Sequence, residues 1–310
     1  MPELPEVETV RRGLASAWKG RTVTKVEQRR HDLRFPFPEG LAECLRGRHV
    51  VDVQRRAKQL VVVLSDGQCM SSHLGMSGRW TLHRGPHTGS SLGVYHREVN
   101  AADLVDGPGP HDHLLVTFDD GHVAVYSDHR RFGWIDLFED AMDLSRSLAK
   151  VGPEPLAIEG VVPDAPILTT EGLAASLAGR RTPIKSALLD QRVVAGLGNI
   201  YVCEALHRSG LSPRRAANTL VRLGGLPTER LFRLHKAFVE VLEEAIEAGG
   251  STLADFRGVD GELGYFPHRF RVYDREGKAC PGREGHACGR PVSRIVQSGR
   301  STFYCGACQR

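Results

Sequence analysis

The chain has 310 residues, of which 41% are hydrophobic and 25% are charged, and it contains no run of eighteen apolar residues. This length predicts two domains with more than one buried core. The composition is that of an ordinary soluble protein and gives no candidate for a transmembrane helix.

The first ten residues, MPELPEVETV, contain two prolines and three glutamates. They lack the basic start and apolar core of a signal peptide and the Arg-rich character of a transit peptide, so we expect a cytosolic protein. A helix is predicted to begin at Pro5, because proline suits the first helical position. This helix should end near Gly20. Its predicted buried face consists of Val7, Val10 and Leu14.

Beyond Gly20 the pattern changes to that of strands and stays so to about residue 140. Asp66-Gly67 and Asp120-Gly121 each separate two apolar, β-branched runs, which is a hairpin signal. Several such strands predict a β-sandwich. Residues 81–110 are rich in Gly, Ser and His without clear periodicity, and they predict a long surface loop.

The sequence from Gly152 to Leu156 is typical of a domain connection, and a helical pattern follows it. Apolar residues recur at helical spacing in four segments, which are residues 170–177, 184–194, 200–209 and 228–248. Thr228 is expected to cap the last helix and Gly249 to end it. Residues 250–268 predict a loop. The resulting domains are 1–150, 151–268 and 269–310.

Positive charge is concentrated at the carboxyl end of the chain. Residues 270–310 carry eight Lys or Arg against three Asp or Glu, so this segment is +5 and the rest of the chain is −1, for a total of +4. A basic module of this kind is expected to contact phosphate. The alternative is a solvated basic tail.

Four of the seven cysteines lie in this basic module, and they are Cys280, Cys288, Cys305 and Cys308. In a cytosolic chain such a cluster favours a metal over disulfides, and four thiolates satisfy tetrahedral zinc. Seven residues separate the first pair, so a site in which His286 replaces one cysteine and a metal-free hairpin both stay open. The three scattered cysteines, which are Cys44, Cys69 and Cys203, are predicted to be buried and inert.

Pro2 is a candidate nucleophile. Methionine before proline is normally removed, which exposes a secondary amine, and an α-amino group has a pKa of about 7.7–8.0. Such an amine attacks a sugar C1′ to give an iminium ion. Glu3 and Glu6 flank it, and carboxylates there can move protons. Without further support, the same residues describe an ordinary terminus and the acidic start of a helix.

The start Met1–Thr9 resembles that of the formamidopyrimidine-DNA glycosylase family, which removes oxidised purines such as 8-oxoguanine. Further motifs resemble those of the family, in the same order along nearly the whole chain. They are Arg55–Lys58, His73–Gly78, His111–His113, Arg130–Gly133, Gly152–Leu156, Lys185–Tyr201, Gly264–Phe266 and Gly299–Cys305. Eight motifs in order are far more specific than any one of them. The family commonly has two residues, not seven, between the first two cysteines.

The resemblance implies a role for each matching residue. Pro2 matches the nucleophile, Glu3 the acid that assists base removal, and Glu6 a second carboxylate at the sugar. Lys58 matches a lysine that contacts phosphate and assists elimination. Arg300 matches an arginine that clamps phosphates and takes part in δ-elimination.

The DNA-binding residues are implied in the same way. Met76, Arg130 and Phe132 match the three residues that fill the hole left by an extruded base, because the stacking lost on flipping must be replaced. On its own, either apolar member of this set would be assigned to a core. Asn199 matches a ligand of a phosphate beside the lesion, and the matching contacts to the DNA backbone are assigned to His111 and Arg180.

The implied fold is α+β, with an N-terminal β-sandwich fronted by a catalytic helix, then a helix–two-turns–helix domain and a zinc-finger β-hairpin. The implied protein is a monomeric bacterial enzyme at the nucleoid with one structural zinc ion. It excises oxidised purines from double-stranded DNA through a Schiff base on Pro2, followed by β,δ-elimination. The alternatives are a pyrimidine-lesion glycosylase of the endonuclease VIII kind and a non-catalytic protein that binds damaged DNA.

Overall fold

The structure, a computed structural model, describes residues 2–83, 109–251, 266–283 and 286–310. Most of the predicted loops 81–110 and 250–268 therefore lies outside the described residues. The chain divides into two compact units. The first unit comprises Met1–Ala149, Gly160–Val162 and Gly249–Gly264, and the second comprises Lys150–Glu159, Pro163–Ala248 and Tyr265–Arg310. Among the described helices, none has the length and apolar character needed to cross a membrane.

Within its described residues, the first unit contains three α-helices and eight strands. They are α1 (Leu4–Trp18), β1 (Val23–Gln28), α2 (Leu41–Leu45), β2 (Val50–Arg56), β3 (Gln59–Leu64), β4 (Cys69–His73), β5 (Arg79–His83), β6 (Asp112–Phe118), β7 (Val123–Ser127), β8 (Trp134–Phe138) and α3 (Ala141–Ser147). The strands form two antiparallel sheets, in the orders β1-β6-β7-β5 and β2-β3-β4-β8. The predicted hairpins are β3–β4 and β6–β7, and Gly67 and Gly121 take positive φ at their turns.

One hydrophobic core joins both sheets to α1, as expected for a sandwich with a helix on it. Trp18 of α1 packs edge-on against Trp80 of β5, with ring centroids 5.2 Å apart. The indole N–H of Trp80 donates across the sandwich to Ser72 of β4 at 3.1 Å. Val53 of β2 and Val116 of β6, which belong to different sheets, are both buried in this cluster. The predicted sandwich is confirmed.

Helix α1 begins at Leu4, one residue before the predicted start, and ends at Trp18. The start differs because Glu3 caps the helix through a reciprocal pair of hydrogen bonds with Glu6, a capping box. Among the scattered cysteines, Cys69 and Cys203 are buried as predicted, but Cys44 is only half-buried. The short helix that carries Cys44 turns only Leu41 and Leu45 into the core.

A buried ionic network ties α1 to the β2–β3 hairpin. The fully buried carboxylate of Glu8 accepts from Arg11 at 2.9 Å and from Arg55 of β2 at 3.2 Å. Arg55 also donates to the carbonyl oxygen of Ala57 in the hairpin turn at 3.0 Å. The guanidinium of Arg11 covers Gly160, where an added Cβ would lie 2.4 Å from it. Glu8 thus connects the start of the chain to this hairpin.

The described part of the second unit contains four α-helices and a two-stranded hairpin. They are α4 (Thr170–Leu177), α5 (Ile184–Leu189), α6 (Asn199–Ser209), α7 (Glu229–Glu247), β9 (Ser293–Gln297) and β10 (Arg300–Tyr304). Thr228 caps α7, accepting from Leu231 N–H at 3.3 Å, and Gly249 follows its end with a φ of +74°. Both predictions are confirmed. The apolar residues that recur at helical spacing in this segment form a buried core stripe, which consists of Leu231, Leu234, Phe238, Val241, Leu242 and Ile246.

The prediction of one helix over residues 184–194 was wrong, because α5 ends at Leu189. Asp190 ends it by accepting from the backbone N–H of Arg192 at 3.1 Å, a local bond that competes with the helix. Gln191 then holds the following turn, donating to Leu197 O at 2.8 Å and accepting from Gly196 N at 2.9 Å. These side-chain hydrogen bonds thus create two turns between α5 and α6. The spacing of apolar residues gives no information about such bonds.

We expect Glu8→Gln to destabilise the protein by about 3–5 kcal/mol, because it removes the buried carboxylate charge that pairs with the guanidinium groups of Arg11 and Arg55. Urea denaturation measures this free energy of unfolding. Arg12→Gln is the matched control, since Arg12 bonds the same carboxylate but its side chain is 51% exposed. The control should cost less than about 1 kcal/mol. Equal losses in the two variants would contradict the assignment of the network.

Candidate active site and nucleic-acid interface

The start of α1 holds Pro2, Glu3 and Glu6 together in the first unit, and all three are buried. The carboxylate of Glu6 accepts from Glu3 N–H at 2.8 Å. It also accepts from the backbone N–H of Ser251 at 2.7 Å and from its hydroxyl at 2.8 Å. Glu6 therefore fixes the residues beside Pro2 and joins them to the segment that begins at Gly249. Sequence reasoning missed Ser251, because it lies 245 positions from Glu6 in the sequence and gives no local signal.

Lys58 lies in the tight turn of the β2–β3 hairpin. The turn has Ala57 at a φ of +54° and pairs Arg56 with Gln59. Lys58 is buried and its charge acts on His73 of β4, which stacks on the Trp134 ring at 3.8 Å. Burial, together with the positive charge of Lys58, lowers the pKa of His73 to about 3. At neutral pH His73 is therefore uncharged, and its Nδ1 accepts from Gly75 N–H at 2.9 Å.

Two neighbouring turns expose the residues that the sequence matched to base replacement. Met76 lies in the turn after β4, and Arg130 and Phe132 lie in the turn between β7 and β8. Met76 is 39% exposed and Phe132 is 42% exposed. The Arg130 guanidinium lies over the Phe132 ring, 4.8 Å from its centroid. Large apolar side chains at this exposure belong to no core, so the core assignment is wrong for both.

A buried carboxylate, Asp128, fastens these two turns to each other. It accepts from the hydroxyl of Ser77, beside Met76, at 2.5 Å and from Gly133 N–H, beside Phe132, at 2.8 Å. The Ser77 hydroxyl oxygen in turn accepts from Arg130 N–H at 3.1 Å. Asp128 is fully buried. Sequence reasoning passed over it, although it lies only two residues before the Arg130–Gly133 motif.

The contact between the turns is close enough to require glycine. A Cβ on Gly75, whose φ is +59°, would lie 2.3 Å from the backbone carbon of Phe132. A Cβ on Gly133 would lie 2.6 Å from the carbonyl oxygen of His73. Both glycines of the matching motifs therefore serve this packing.

The two predicted backbone-contact residues differ in their surroundings. His111 of the first unit is exposed, and its ring centroid lies 6.1 Å from that of His129. Arg180 of the second unit donates to Ser176 O at 2.8 Å and pairs with Asp190 at 3.3 Å. The guanidinium of Arg180 is thus partly occupied by bonds within its own unit, while the exposed side chain of His111 is accessible to a ligand.

Asn199 is the first residue of α6, and Gly198 rather than Asn199 is the N-cap. Its amide donates to Ser301 O of β10 at 2.9 Å, and its buried Oδ1 finds no hydrogen-bond partner among the described residues. The fully buried Lys185 of α5 donates to the same carbonyl at 3.1 Å and to the Thr302 hydroxyl at 2.7 Å. These bonds fix the β9–β10 hairpin to the start of α6.

Arg300 follows the tight turn of that hairpin. Ser298 and Gly299 take positive φ of +50° and +71°, and Arg300 pairs with Gln297. The side chain of Arg300 is exposed. Because Asn199 bonds the backbone of the next residue, the structure brings these two predicted residues into one region of the second unit.

The four module cysteines converge, with all four sulfur atoms within 4.8 Å of one another. The Sγ atoms of Cys280 and Cys308 are 3.8 Å apart, and those of Cys288 and Cys305 are 3.6 Å apart. Tetrahedral zinc with Zn–S bonds of about 2.3 Å separates its sulfurs by about 3.8 Å, so the set fits zinc. His286 is not part of this cluster. The four cysteines are therefore able to hold a zinc ion, and such a site would be structural because four thiolates leave no coordination position for a substrate.

Comparison with known proteins matches three consecutive parts of the chain to family models. The formamidopyrimidine-DNA glycosylase N-terminal domain matches residues 1–135 and the H2TH domain of the same enzyme matches residues 151–257. The zinc finger found in FPG and IleRS matches residues 286–310, beginning after Cys280.

Whole-chain comparisons agree with these matches. The formamidopyrimidine-DNA glycosylase of Beijerinckia indica is 52% identical, and one from Rhizobium etli is 50% identical, with both chains of each pair fully covered. The MutM (FPG) structure from Thermus thermophilus is 36% identical, with 99% and 98% coverage and a TM-score of 0.76. A Lactococcus lactis FPG variant in complex with Fapy-dG-containing DNA is 30% identical, fully covered, with a TM-score of 0.79.

We expect Asp128→Asn to speed hydrogen exchange at the amides of Gly133 and Arg130, because Asp128 accepts from the first amide and bonds Ser77, the acceptor of the second. The substitution should also lower the free energy of unfolding by about 2 kcal/mol. Ser77→Ala removes the acceptor of Arg130 N–H and one donor to Asp128 but keeps the carboxylate oxygen that Gly133 N–H bonds, so it should release the Arg130 amide and leave Gly133 protected. NMR or mass-spectrometric exchange measures both. Unchanged protection at both amides in Asp128→Asn would show that the carboxylate does not hold the turns.

Zinc content tests the ligand set. Cys305→Ser should lower the metal from about one ion per chain to near zero after dialysis against a chelator, because tetrahedral structural sites use all four ligands. His286→Ala should retain the full zinc content. Elemental mass spectrometry measures the ratio. A loss of zinc in His286→Ala would overturn the all-thiolate assignment.

Proposed function

The chain belongs to the formamidopyrimidine-DNA glycosylase family, and we propose from this premise that it excises oxidised purines and then cleaves the DNA strand. The enzyme is a DNA glycosylase of base excision repair that acts on damaged DNA. The relatives carry the name of a purine-lesion enzyme, so neither the endonuclease VIII alternative nor the non-catalytic alternative is kept. The observation that carries the proposal is the buried start of α1, where capping bonds hold Pro2, Glu3 and Glu6.

Pro2 is the proposed nucleophile. Its secondary amine attacks C1′ of the flipped nucleotide, and the bond from C1′ to the base breaks, so the base leaves with a proton. The amine then loses its own hydrogen as the C1′–O4′ bond opens and O4′ takes up a proton, which leaves an iminium ion. Glu3, at the cap of α1, is placed to supply that proton.

The iminium ion then permits strand cleavage. It acidifies C2′, so loss of a C2′ proton expels the 3′ phosphate, and a second elimination expels the 5′ phosphate. Lys58 in the hairpin turn, which the Glu8–Arg55 network ties to α1, is the proposed aid to the first elimination. Arg300 is the proposed aid to the second.

Glu6 has a narrower proposed role than a proton carrier. Its two carboxylate oxygens accept hydrogen bonds from Glu3 N–H and from Ser251. A carboxylate committed to these donors positions the cap residue and its neighbour Pro2. We assign Glu6 to that positioning at the sugar site.

Phosphate binding falls to residues of both units. Asn199 lies at the start of α6, where the positive end of the helix dipole favours an anion. Arg300 and His111 have exposed side chains that can donate hydrogen bonds to phosphate, and Arg180 contributes its partly exposed guanidinium. These contacts position the DNA without reading its sequence.

Met76, Arg130 and Phe132 are proposed to replace the extruded base. The two exposed apolar side chains can enter the stack, and the guanidinium above Phe132 can hydrogen-bond the orphaned partner base. Flipping costs a few kcal/mol of stacking and pairing, which these contacts offset.

The proposed division of labour follows the ranges 1–150 for catalysis, 151–268 for helix–two-turns–helix binding and 269–310 for the zinc hairpin. The zinc ion supplies no chemistry in this scheme and holds β9 and β10 in place. We infer a monomer that works on the bacterial nucleoid, in the cytoplasm.

Single-turnover excision from matched duplexes tests the proposal. We expect an 8-oxoguanine duplex to react at least about 10²-fold faster than a thymine-glycol duplex. Pro2→Gln should lose at least about 10³-fold, because Met1 is retained before a large side chain and the amine moves one residue away. Pro5→Ala in the same helical turn is the control and should stay within several-fold of the parent. A thymine-glycol preference would contradict the purine assignment, and full activity in Pro2→Gln would contradict the nucleophile.

A further inference from the structure

One side of α6 packs against the segment that carries the zinc ligands. Cys203 of α6 belongs to the buried cluster that contains Cys280. The next residue, Glu204, accepts the backbone N–H groups of residues 271–273, a short way before Cys280 in the chain. His207 lies four residues after Cys203 and three after Glu204, so it is a neighbour of both on the helix surface. His207 therefore faces the zinc ligands too.

His207 contacts one of the four ligand sulfur atoms directly. Its Nε2 lies 3.2 Å from Cys280 Sγ, and the backbone N–H of Gly282 donates to the same sulfur at 3.4 Å. The ligand of a metal is the thiolate, which carries no hydrogen. The ring nitrogen that contacts it must therefore be the one that carries a hydrogen. The His207 side chain is fully buried, so bulk water does not compete for this bond.

Packing alone does not explain a histidine at this position. The other ring nitrogen, Nδ1, is buried and has no hydrogen-bond partner among the described residues. A buried polar atom without a partner is costly, and a phenylalanine would fill a similar volume without that cost. Hydrogen bonds to an ionised acceptor are about twice as strong as neutral ones, so the bond from Nε2 to a thiolate offsets the cost. The contact with Cys280 thus accounts for the histidine.

We propose that His207 is a positioning residue of the zinc site, which orients the Cys280 thiolate through Nε2–H and makes it less reactive. A thiolate that accepts hydrogen bonds shares its negative charge with the donors, so it is a weaker nucleophile. Groups that hydrogen-bond metal ligands also fix the geometry of those ligands and strengthen metal binding. The inference rests on zinc binding by the four cysteines and not on the proposed chemistry of Pro2.

The bond also adds to the attachment of the zinc-binding segment to α6. At the start of the helix, Asn199 donates to the carbonyl oxygen of Ser301 in β10. Near its end, His207 contacts Cys280, which lies before β9. The helix that carries the proposed phosphate ligand Asn199 is therefore bonded at both ends to the segment that zinc organises.

The rate of zinc release from the holoenzyme tests the donor at Nε2. Excess iodoacetamide alkylates the thiolates, and a chromophoric chelator records the zinc that leaves. His207→Phe removes the donor and keeps a ring of similar size, so we expect release about 10- to 100-fold faster than in the parent. His207→Gln restores an N–H at about the distance of Nε2 from the backbone and should stay within several-fold of the parent.

Two controls separate the hydrogen bond from a general loss of structure. His235→Phe removes a histidine of α7 that bonds Thr170, and it should not change the rate of zinc release. Peptide mapping by mass spectrometry should place the first adduct of His207→Phe on Cys280, while alkylation of Cys44 in the first unit proceeds at the parental rate. Equal release from His207→Phe and the parent would overturn the proposal, as would equally fast release from His207→Phe and His207→Gln.

The state of the ring is measured on the parent itself and is independent of how the variants fold. In the zinc-loaded protein labelled with ¹⁵N-histidine, NMR distinguishes a ring nitrogen that carries a hydrogen from one that does not. We expect Nε2 of His207 to carry the hydrogen and Nδ1 to lack it. A hydrogen on Nδ1 with none on Nε2 would overturn the proposal. Neither measurement involves DNA, so a failure of the proposed excision activity would leave both results unchanged.

Discussion

The start of α1 depends on one buried carboxylate with three donors. Glu6 accepts from the helix cap and, through both hydrogen-bonding groups of Ser251, from a segment far along the chain. A buried carboxylate without such partners would be costly, so each donor also constrains where the others lie. Pro2 directly precedes the cap residue Glu3, so these hydrogen bonds also restrict the position of Pro2. The proposed nucleophile is thereby placed by hydrogen bonds and not by apolar packing alone.

Buried carboxylates that accept several hydrogen bonds also hold other turns in a fixed shape. Asp128 holds the turns that expose Met76 and Phe132, and Glu204 of α6 accepts three backbone N–H groups. Those donors are Arg271, Val272 and Tyr273, at 2.9, 3.0 and 2.8 Å. Burial raises the pKa of Glu204, and the three N–H groups oppose that effect. The candidate residues Met76 and Phe132 thus lie on short turns, and the buried carboxylate of Asp128 gives those turns their order.

Periodicity and turn signals predicted the sandwich, the core stripe of α7 and the hairpins at Gly67 and Gly121, because apolar burial and positive φ act locally. They failed at α5, where Asp190 and Gln191 bond the backbone of the following turn. They also gave no indication of the hydrogen bonds that Asp128 accepts, since one donor, Ser77, is 51 residues away in the sequence. A hydrogen bond between distant segments leaves no period in the sequence. The exposure of Met76 and Phe132 followed only from motif resemblance, since composition places such residues in a core.

The position of the nucleophile is most directly tested by mapping the cross-link that borohydride forms between the enzyme and an 8-oxoguanine duplex. After nuclease and trypsin digestion, mass spectrometry locates the sugar-derived adduct. The account predicts that it lies on the amino-terminal peptide, residues 2–11, at the nitrogen of Pro2. An adduct on residues 57–79, at Lys58, or the absence of any adduct while excision proceeds, would contradict it.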